Sequence, residues 1–422
     1  MGKKGNKSKQ KKNNASASLP NVSICTPTFN RRPFFKGIIH CISKQDYPRD
    51  KIEWIVVDDG TDCVRDIIES EECQEKLKGI HIRYFYEKEK MDLGKKRNYM
   101  HARCQFVNDE DIIVYMDDDD YYPPERVSHS VHKLVGNKDA LCAGASELYL
   151  WFNTLDKMYK FGPYGPNHAT AGTFAFKRKL LKDTSYEDNA VLAEEKHFLK
   201  NYTVPFVQLD TYKTILVVSH EQNTFDKKRL VNENNQFCHA SSLKVKNFIK
   251  DNEMAHFYQS EINELLKDYE PGEVTNKPKV LDEIKRRDEE RKSMEDNRPS
   301  GIVVSDDKNQ SKQLTIKEVK LYMQSKTNEC VELKAKVNDL LGKLQNGGSL
   351  EGDERLSGIV ATDDKKQSKE LTIREVKEYM SMKTKECVFL KNKVQELMKE
   401  NEELKKSTSP PDSDGPKIEE LN

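Results

Sequence analysis

The chain has 422 residues, 34% of them charged, and its 71 Lys+Arg balance 71 Asp+Glu to a formal net charge of zero. That balance excludes a global basic field of the kind that draws a protein to nucleic acid. A mean hydropathy of -0.85 excludes one compact core spanning the whole length, so part of the chain must be extended helix or disorder. No apolar run reaches the length of a membrane span, and the start lacks a signal-peptide apolar core. The nine cysteines are scattered and include no C-x-x-C pair, which implies neither a disulfide framework nor a zinc site. A reducing, cytoplasmic compartment is the expectation.

In chain order, residues 1–20 form a basic, polar, low-complexity stretch that cannot bury enough to fold. Val22 to Cys25 reads as a strand, Pro27 to Arg31 as a loop, and Pro33 to Ser43 as a helix with Pro at its start. Glu53 to Val57 is a second strand, ending in Asp58-Asp59-Gly60-Thr61, and a polar helix follows over Val64 to Leu77. His81 to Tyr86 is a third strand, and Gly94 to Asn98 opens another helix. Ile112 to Met116, short and rich in β-branched residues, ends abruptly in Asp117-Asp118-Asp119-Asp120. Four adjacent carboxylates at the end of a core strand repel one another unless a cation sits there, and hard oxygen ligands suit Mg²⁺ or Mn²⁺. The alternation predicts an α/β fold with a mostly parallel, helix-covered sheet. Ligands of such sheets bind beyond the carboxyl ends of the strands, where the polar loops Thr28–Arg31, Asp58–Thr61 and Asp117–Asp120 stand.

Further on, Ser146 to Phe152 and Met158 to Phe161 read as strands around a turn, and His168 to Lys177 as a strand preceded by small residues. Asp188 to Tyr202 reads as a helix whose early part carries Glu194 and Glu195. Val217 to Ser219 is a strand that delivers His220, and apolar positions between Ser241 and Tyr269 mark helical faces that close the core.

The motifs Pro27-Thr-Phe-Asn30, Gln45-x-Tyr-Pro48, Asp58-Asp59-Gly60-Thr61, Gly94-Lys95-x-Arg97-Asn98 and Asp117-x-Asp119, in this order, resemble the nucleotide-sugar-binding half of the family 2 glycosyltransferases. The resemblance runs from about Asn21 to Thr224 and implies the GT-A fold, a Rossmann-like sheet with helices on both faces. It also implies roles for individual residues. Pro27, Thr28, Phe29 and Arg31 would border the nucleotide, with Phe29 stacking on the base and Asp59 bonding the base's edge. Lys95 and Arg97 would lie along base and phosphates, and Asp117 and Asp118 near ribose and metal. Asp119 would be the direct metal ligand, with Asp117 and His220 completing the site for Mn²⁺ or Mg²⁺. The family usually carries Glu-Asp where this chain has Glu194-Glu195, so Glu195 is the implied base and Glu194 the alternative. The Gln-x-x-Arg-Trp signature of processive synthases is missing. The implied activity is a metal-dependent, inverting, non-processive transfer from a nucleoside-diphosphate sugar, UDP-sugar favoured, to a hydroxyl of a glycan or protein acceptor. A rival reading is a non-catalytic nucleotide-sugar-binding scaffold that acts through its tail.

The tail repeats itself. Ser300-Gly-Ile-Val-Val-Ser-Asp-Asp-Lys308 recurs as Ser357-Gly-Ile-Val-Ala-Thr-Asp-Asp-Lys365, each copy reading as an irregular lead followed by a heptad helix. The seam of the first copy is Ile316, Val319, Met323, Lys326, Cys330, Leu333, Val337 and Leu340, with Lys326 as its flaw. The expected organisation is a GT-A domain over 21–269, a charged helix or linker over 270–313, and coiled-coil repeats over 314–344 and 371–406. A linker (345–370) separates the repeats, and 407–422 is a disordered end. A homodimer through the coiled coil is the expected partner state.

Overall fold

The computed structural model describes residues 19–192, 195–223, 227–231, 235–305, 311–345, 356–362 and 368–372, with single positions between 374 and 388. The basic start, Glu194, the acidic end and most of the second heptad helix lie outside the described residues. The chain divides into two units, Met1–Lys285 and Arg286–Asn422.

The first unit is built on a seven-stranded sheet. Its parallel half comprises β1 (Val22–Thr28), β2 (Ile52–Asp58), β3 (His81–Tyr86) and β4 (Ile112–Tyr115). β1, β2 and β4 are buried on both faces because both sides of the sheet are covered, whereas the edge strand β3 is only partly buried. Ile52, Trp54 and Val56 of β2 enter one apolar core while Ile55 and Val57 enter the other. On β4, Ile112 and Val114 face the first core and Ile113 and Tyr115 the second. Each such side chain, fully buried, contributes about 1.5–3 kcal/mol. Helices α1 (Phe35–Ser43) and α4 (Leu93–Arg103) connect these strands.

The helix expected over Val64 to Leu77 is two, α2 (Arg65–Glu69) and α3 (Glu71–Lys76). Ser70 between them is extended (φ -62°, ψ 145°), and its hydroxyl accepts the Cys73 N–H at 3.2 Å as an N-cap. After α5 (Arg126–Gly136) come β5 (Cys142–Gly144), β6 (Leu148–Phe152), β7 (Lys157–Phe161) and β8 (Ala175–Lys177). β8 inserts antiparallel between β4 and β5, and β9 (Phe206–Gln208) completes the order β3-β2-β1-β4-β8-β5-β9. β10 (Leu216–Ser219) and β11 (Cys238–Ser241) join β6 and β7 in a second, four-stranded sheet. The expected strand over His168 to Lys177 is only its last residues, preceded by a 3-10 turn over Ala171–Thr173.

The expected helix from Asp188 is also shorter. Described helix is confined to α6 (Glu195–Phe198), and residues 188–192 are irregular. α4 holds this stretch and the residues before it instead: Gly94 N–H donates to Ala190 O at 2.9 Å, and Asn98 Nδ2 donates to Asp188 Oδ1 and to Tyr186 O, each at 2.8 Å. Gly94 is required there, since a Cβ would lie 2.0 Å from Glu187 O. Short helical pieces between Val245 and Leu266 then bury Val245, Phe248, Ile249, Met254, Phe257 and Ile262 in the first core, while Leu265 is exposed.

In the second unit the lead of the first repeat is a hairpin. Strands Pro299–Ser305 and Ser311–Thr315 pair antiparallel, and a helix over Ile316–Gln345 follows. The corresponding lead of the second copy, Leu356–Thr362 with Ser368–Thr372, pairs in the same way. The consecutive β-branched residues Ile302, Val303 and Val304 favour a strand where an irregular lead was expected. Thr315 and Glu318 form a capping box: the Thr315 N–H donates to Glu318 Oε2 (2.8 Å) and the Glu318 N–H to Thr315 Oγ1 (3.2 Å). The hairpin packs on the start of the helix. Val319, a seam position, is buried in this unit, whereas Leu321, Tyr322 and Val331, off the seam, are exposed. Among the described residues no helix is long and apolar enough to cross a membrane.

Candidate active site

β1 and β4 are parallel neighbours, with Cys25 opposite Tyr115. The strand order β3-β2-β1-β4 reverses its progression between them, so the chains leaving these two strands diverge and open a crevice. Phe29 to Arg31 leave one strand and the acidic run leaves the other. A cavity of about 440 Å³ lies there.

The acidic run is held from several directions. Asp117 N–H donates to Tyr122 Oη (2.7 Å), and Asp120 Oδ1 accepts the Val218 N–H (2.9 Å). Tyr258 donates its hydroxyl to Asp120 O at 3.1 Å. Burial pushes the Asp120 carboxyl well above its ordinary range, as suits a group that ties β10 to the run rather than one that meets solvent. Beneath them Arg126 is fully buried, and its Nη2 donates to Tyr115 O (3.2 Å), Thr173 O (2.9 Å) and Phe174 O (2.9 Å).

The cavity wall alternates in charge. Arg31 is buried and stands 3.9 Å from both Asp118 Oδ1 and Asp119 Oδ2; its Nη2 donates to Gln222 O at 2.8 Å. Arg97 lies 4.3 Å over the Tyr115 ring and 3.8 Å from Asp117 Oδ1. Burial, with Asp119 as neighbour, raises Asp118 to about 7. Burial would raise Asp119 too, but the hydrogen bond from His220, aided by Lys227 and Arg31, outweighs it and holds that carboxyl well below the usual range. His220 is itself pushed down to about 4 by burial.

Whether these residues fit a divalent cation can be tested at His220. Its Nε2 lies 3.1 Å from Asp119 Oδ2 and 2.8 Å from Asn223 Nδ2. Asn223 is oriented by its Oδ1, which accepts the His220 N–H at 2.9 Å. If Nε2 carries a proton, that proton meets the Asn223 amide hydrogens; if it is bare, its lone pair faces the carboxylate. A divalent cation held by His220 and Asp119 would remove the second conflict. Among the described residues no group of three His, Cys, Asp or Glu side chains converges as a closed metal cage would require. Mg²⁺ and Mn²⁺ use few protein ligands and complete their shell with water and substrate phosphates, so the pair Asp119–His220 fits while Asp117 is turned towards Arg97.

Residues 23–187 match the sequence model described as glycosyl transferase family 2. The match covers less than half of the chain. A curated relative, "Putative teichuronic acid biosynthesis glycosyltransferase TuaG" of Bacillus subtilis (strain 168), is 28% identical over 109 residues, which cover 26% of this chain and 39% of that protein. The chain thus spans well under half the length of that relative. Among solved structures, the mannosyltransferase PcManGT from Pyrobaculum calidifontis in complex with GDP-Man and Mn²⁺ aligns with a TM-score of 0.38 and 18% identity. That alignment covers 48% of this chain and 58% of that one. S. aureus TarS 1-349 in complex with UDP-GlcNAc aligns with a TM-score of 0.36 and 17% identity, over 48% and 59% of the two chains.

The cavity gathers Pro27, Thr28, Phe29, Arg31, Arg97, Asp117, Asp118, Asp119 and Glu195. His220 stands behind Asp119, and Glu195 Oε1 accepts the Ala171 N–H at 3.1 Å. Asp59 is buried just below, with Oδ1 2.5 Å from Lys96 Nζ and Oδ2 accepting the Met91 N–H at 2.7 Å. Lys95 does not belong to this group. It is exposed, and Lys96 takes the inward place, also donating to Thr28 O at 2.8 Å. The inward face of α4 is set by Arg97, Met100 and His101, which leaves position 95 on the far side. Lys90 and Lys227 also line the cavity, as does Lys277, which burial pushes down to about 7. The lysines sit in charged stretches without periodicity, and sequence reasoning had no handle on them.

Proposed function

We propose that this protein transfers a sugar from a nucleoside-diphosphate sugar to an acceptor hydroxyl, with Glu195 as base and inversion at the anomeric carbon. The observation that carries the reading is that Glu195 and the Asp117–Asp119 run line one cavity together with Arg31 and Arg97. The acceptor oxygen attacks the anomeric carbon, the bond to the diphosphate oxygen breaks with its electron pair, and the proton passes to Glu195. Arg31 and Arg97 offer fixed positive charge to the departing diphosphate. Half-buried Phe29, outside both apolar cores, offers a flat face to the base. A divalent cation held by Asp119 and His220 would supply further charge neutralisation. The open cavity and the missing Gln-x-x-Arg-Trp signature suit a non-processive enzyme. The tail repeats serve self-association in this reading, which sedimentation of the full chain measures.

The test is a screen of UDP- and GDP-sugars with Mn²⁺, reading released nucleoside diphosphate. Glu195→Gln should lower the rate roughly 10²–10⁴-fold with donor affinity nearly unchanged. Undiminished turnover by that variant removes Glu195 as the base. Donor binding without any turnover by the wild type favours the scaffold instead.

A further inference from the structure

The chain beyond the matched segment returns to the cavity. Tyr269 donates its hydroxyl to Asp62 Oδ2 (2.8 Å), and its carbonyl accepts from Gln222 Nε2 (2.7 Å). Pro271 O accepts from Asn30 Nδ2 at 2.8 Å, so the loop after β1 is tied directly to this stretch. Gly272 makes the close approach possible, since a Cβ there would stand 2.0 Å from Gln222 Oε1. At the far end Lys279 pairs with Asp92 at 2.9 Å, and Val280 is buried and lines the cavity. Asp62, Asn30, Gln222 and Asp92 come from four separate parts of the domain. Residues 269–280 are thus strapped across the mouth of the strand ends.

Lys277 lies within this strap. It is 6% exposed and lines the cavity, with Nζ 5.9 Å from the centre of the Phe29 ring. Lys90 and Lys96 approach the same ring at 4.6 and 6.0 Å. Arg31 and Lys90 press on Lys277 as like charges, while Asp118 and Asp119 attract it. Burying an ammonium among other cations is costly, and a multiply charged anion in the cavity offsets that cost. The place between the Phe29 ring and the acidic run is where a diphosphate would lie if a base stacks on Phe29.

We propose that residues 269–280 form a clasp that delivers Lys277 as a ligand of the donor's diphosphate, which makes a segment outside the matched family region part of the donor site. The inference rests on the nucleotide-sugar reading above. Lys277 then selects for the number of phosphates on the nucleotide and is indifferent to the base. The experiment is calorimetric titration of the full chain, with Mn²⁺, using UDP and GDP and their parent nucleosides, for wild type, Lys277→Met and Lys277→Arg. Lys277→Met should bind the preferred diphosphate roughly 10- to 100-fold more weakly, the range of a charge-assisted hydrogen bond. Its affinity for the nucleoside should stay within about twofold, and Lys277→Arg should recover most of the diphosphate affinity. Equal diphosphate affinity in Lys277→Met and wild type overturns the proposal. So does an equal loss for diphosphate and nucleoside, which marks a structural role. A wild type that binds neither diphosphate refutes the nucleotide-sugar reading itself, and this inference with it.

Discussion

Arg126→Met probes the support beneath the acidic run. Arg126 is fully buried, and among the described residues no carboxylate lies within ion-pair distance; its work is done on backbone carbonyls and on Ser130 Oγ (2.7 Å). Burial lowers its pKa to about 10, so the guanidinium remains charged at neutral pH. Methionine fills much of the volume and bonds nothing. Phe174 O would keep the Tyr115 N–H, which donates to it at 3.0 Å, but Tyr115 O and Thr173 O would lose this partner. At about 1–3 kcal/mol for each buried carbonyl left short, the loss is roughly 2–6 kcal/mol. Relief from burying a charge returns part of it, leaving about 2–4 kcal/mol of destabilisation. Arg126→Lys should rescue only in part, because a shorter side chain with one nitrogen cannot serve both the three carbonyls bonded by Nη2 and the Ser130 hydroxyl bonded by Nη1. Urea unfolding followed by circular dichroism gives the number. A midpoint unchanged in Arg126→Met would refute the reasoning, since it would mean that the carbonyls find other partners at no cost.

The remaining predictions are briefer. Gly94→Ala should cost about 1–3 kcal/mol, because its methyl meets Glu187 O, and thermal unfolding measures it. Turnover should fall with it, since the displaced stretch leads into Glu195. His101, buried and bonded through Nε2 to Tyr115 Oη (2.7 Å), has its pKa pushed down from 6.5 to about 3 by burial, with Arg97 and Arg178 adding repulsion. The unfolded chain then binds the proton more readily, so stability present above pH 6.5 is lost as pH falls towards 3, on the order of a few kcal/mol. His101→Phe should flatten that slope in denaturation measured across pH. Asp119→Asn should abolish the metal dependence of nucleotide binding and lower the unfolding midpoint, because it removes the charge that His220, Lys227 and Arg31 stabilise. Metal-dependent binding that survives the substitution would remove Asp119 from the ligand set.

The sequence by itself determined the parallel half of the sheet. β1, β2 and β4 read as mainly apolar runs because each has a core on both faces, and their polar exits had to gather at one edge of the sheet. Phe29, Arg31 and the Asp117–Asp119 run were legible for that reason, since local pattern and strand direction suffice to bring them together. Tertiary structure alone decided the rest. Which lysine of α4 turns inward depends on the phase set by Met100 and His101 against the core, and it chose Lys96 over Lys95. Residues 188–192 have helix-forming composition, yet α4 captures the neighbouring backbone through Gly94 and Asn98, a partner some 90 residues away. Arg126 carries the mark of a surface residue in the sequence and lies in the core because three carbonyls from distant segments converge on it. Lys277 sits in a charged stretch without pattern and reaches the cavity only because the chain folds back over the strand ends. Local sequence encodes periodicity and turn chemistry, whereas the pairing of buried polar groups is settled by whichever distant partner satisfies them.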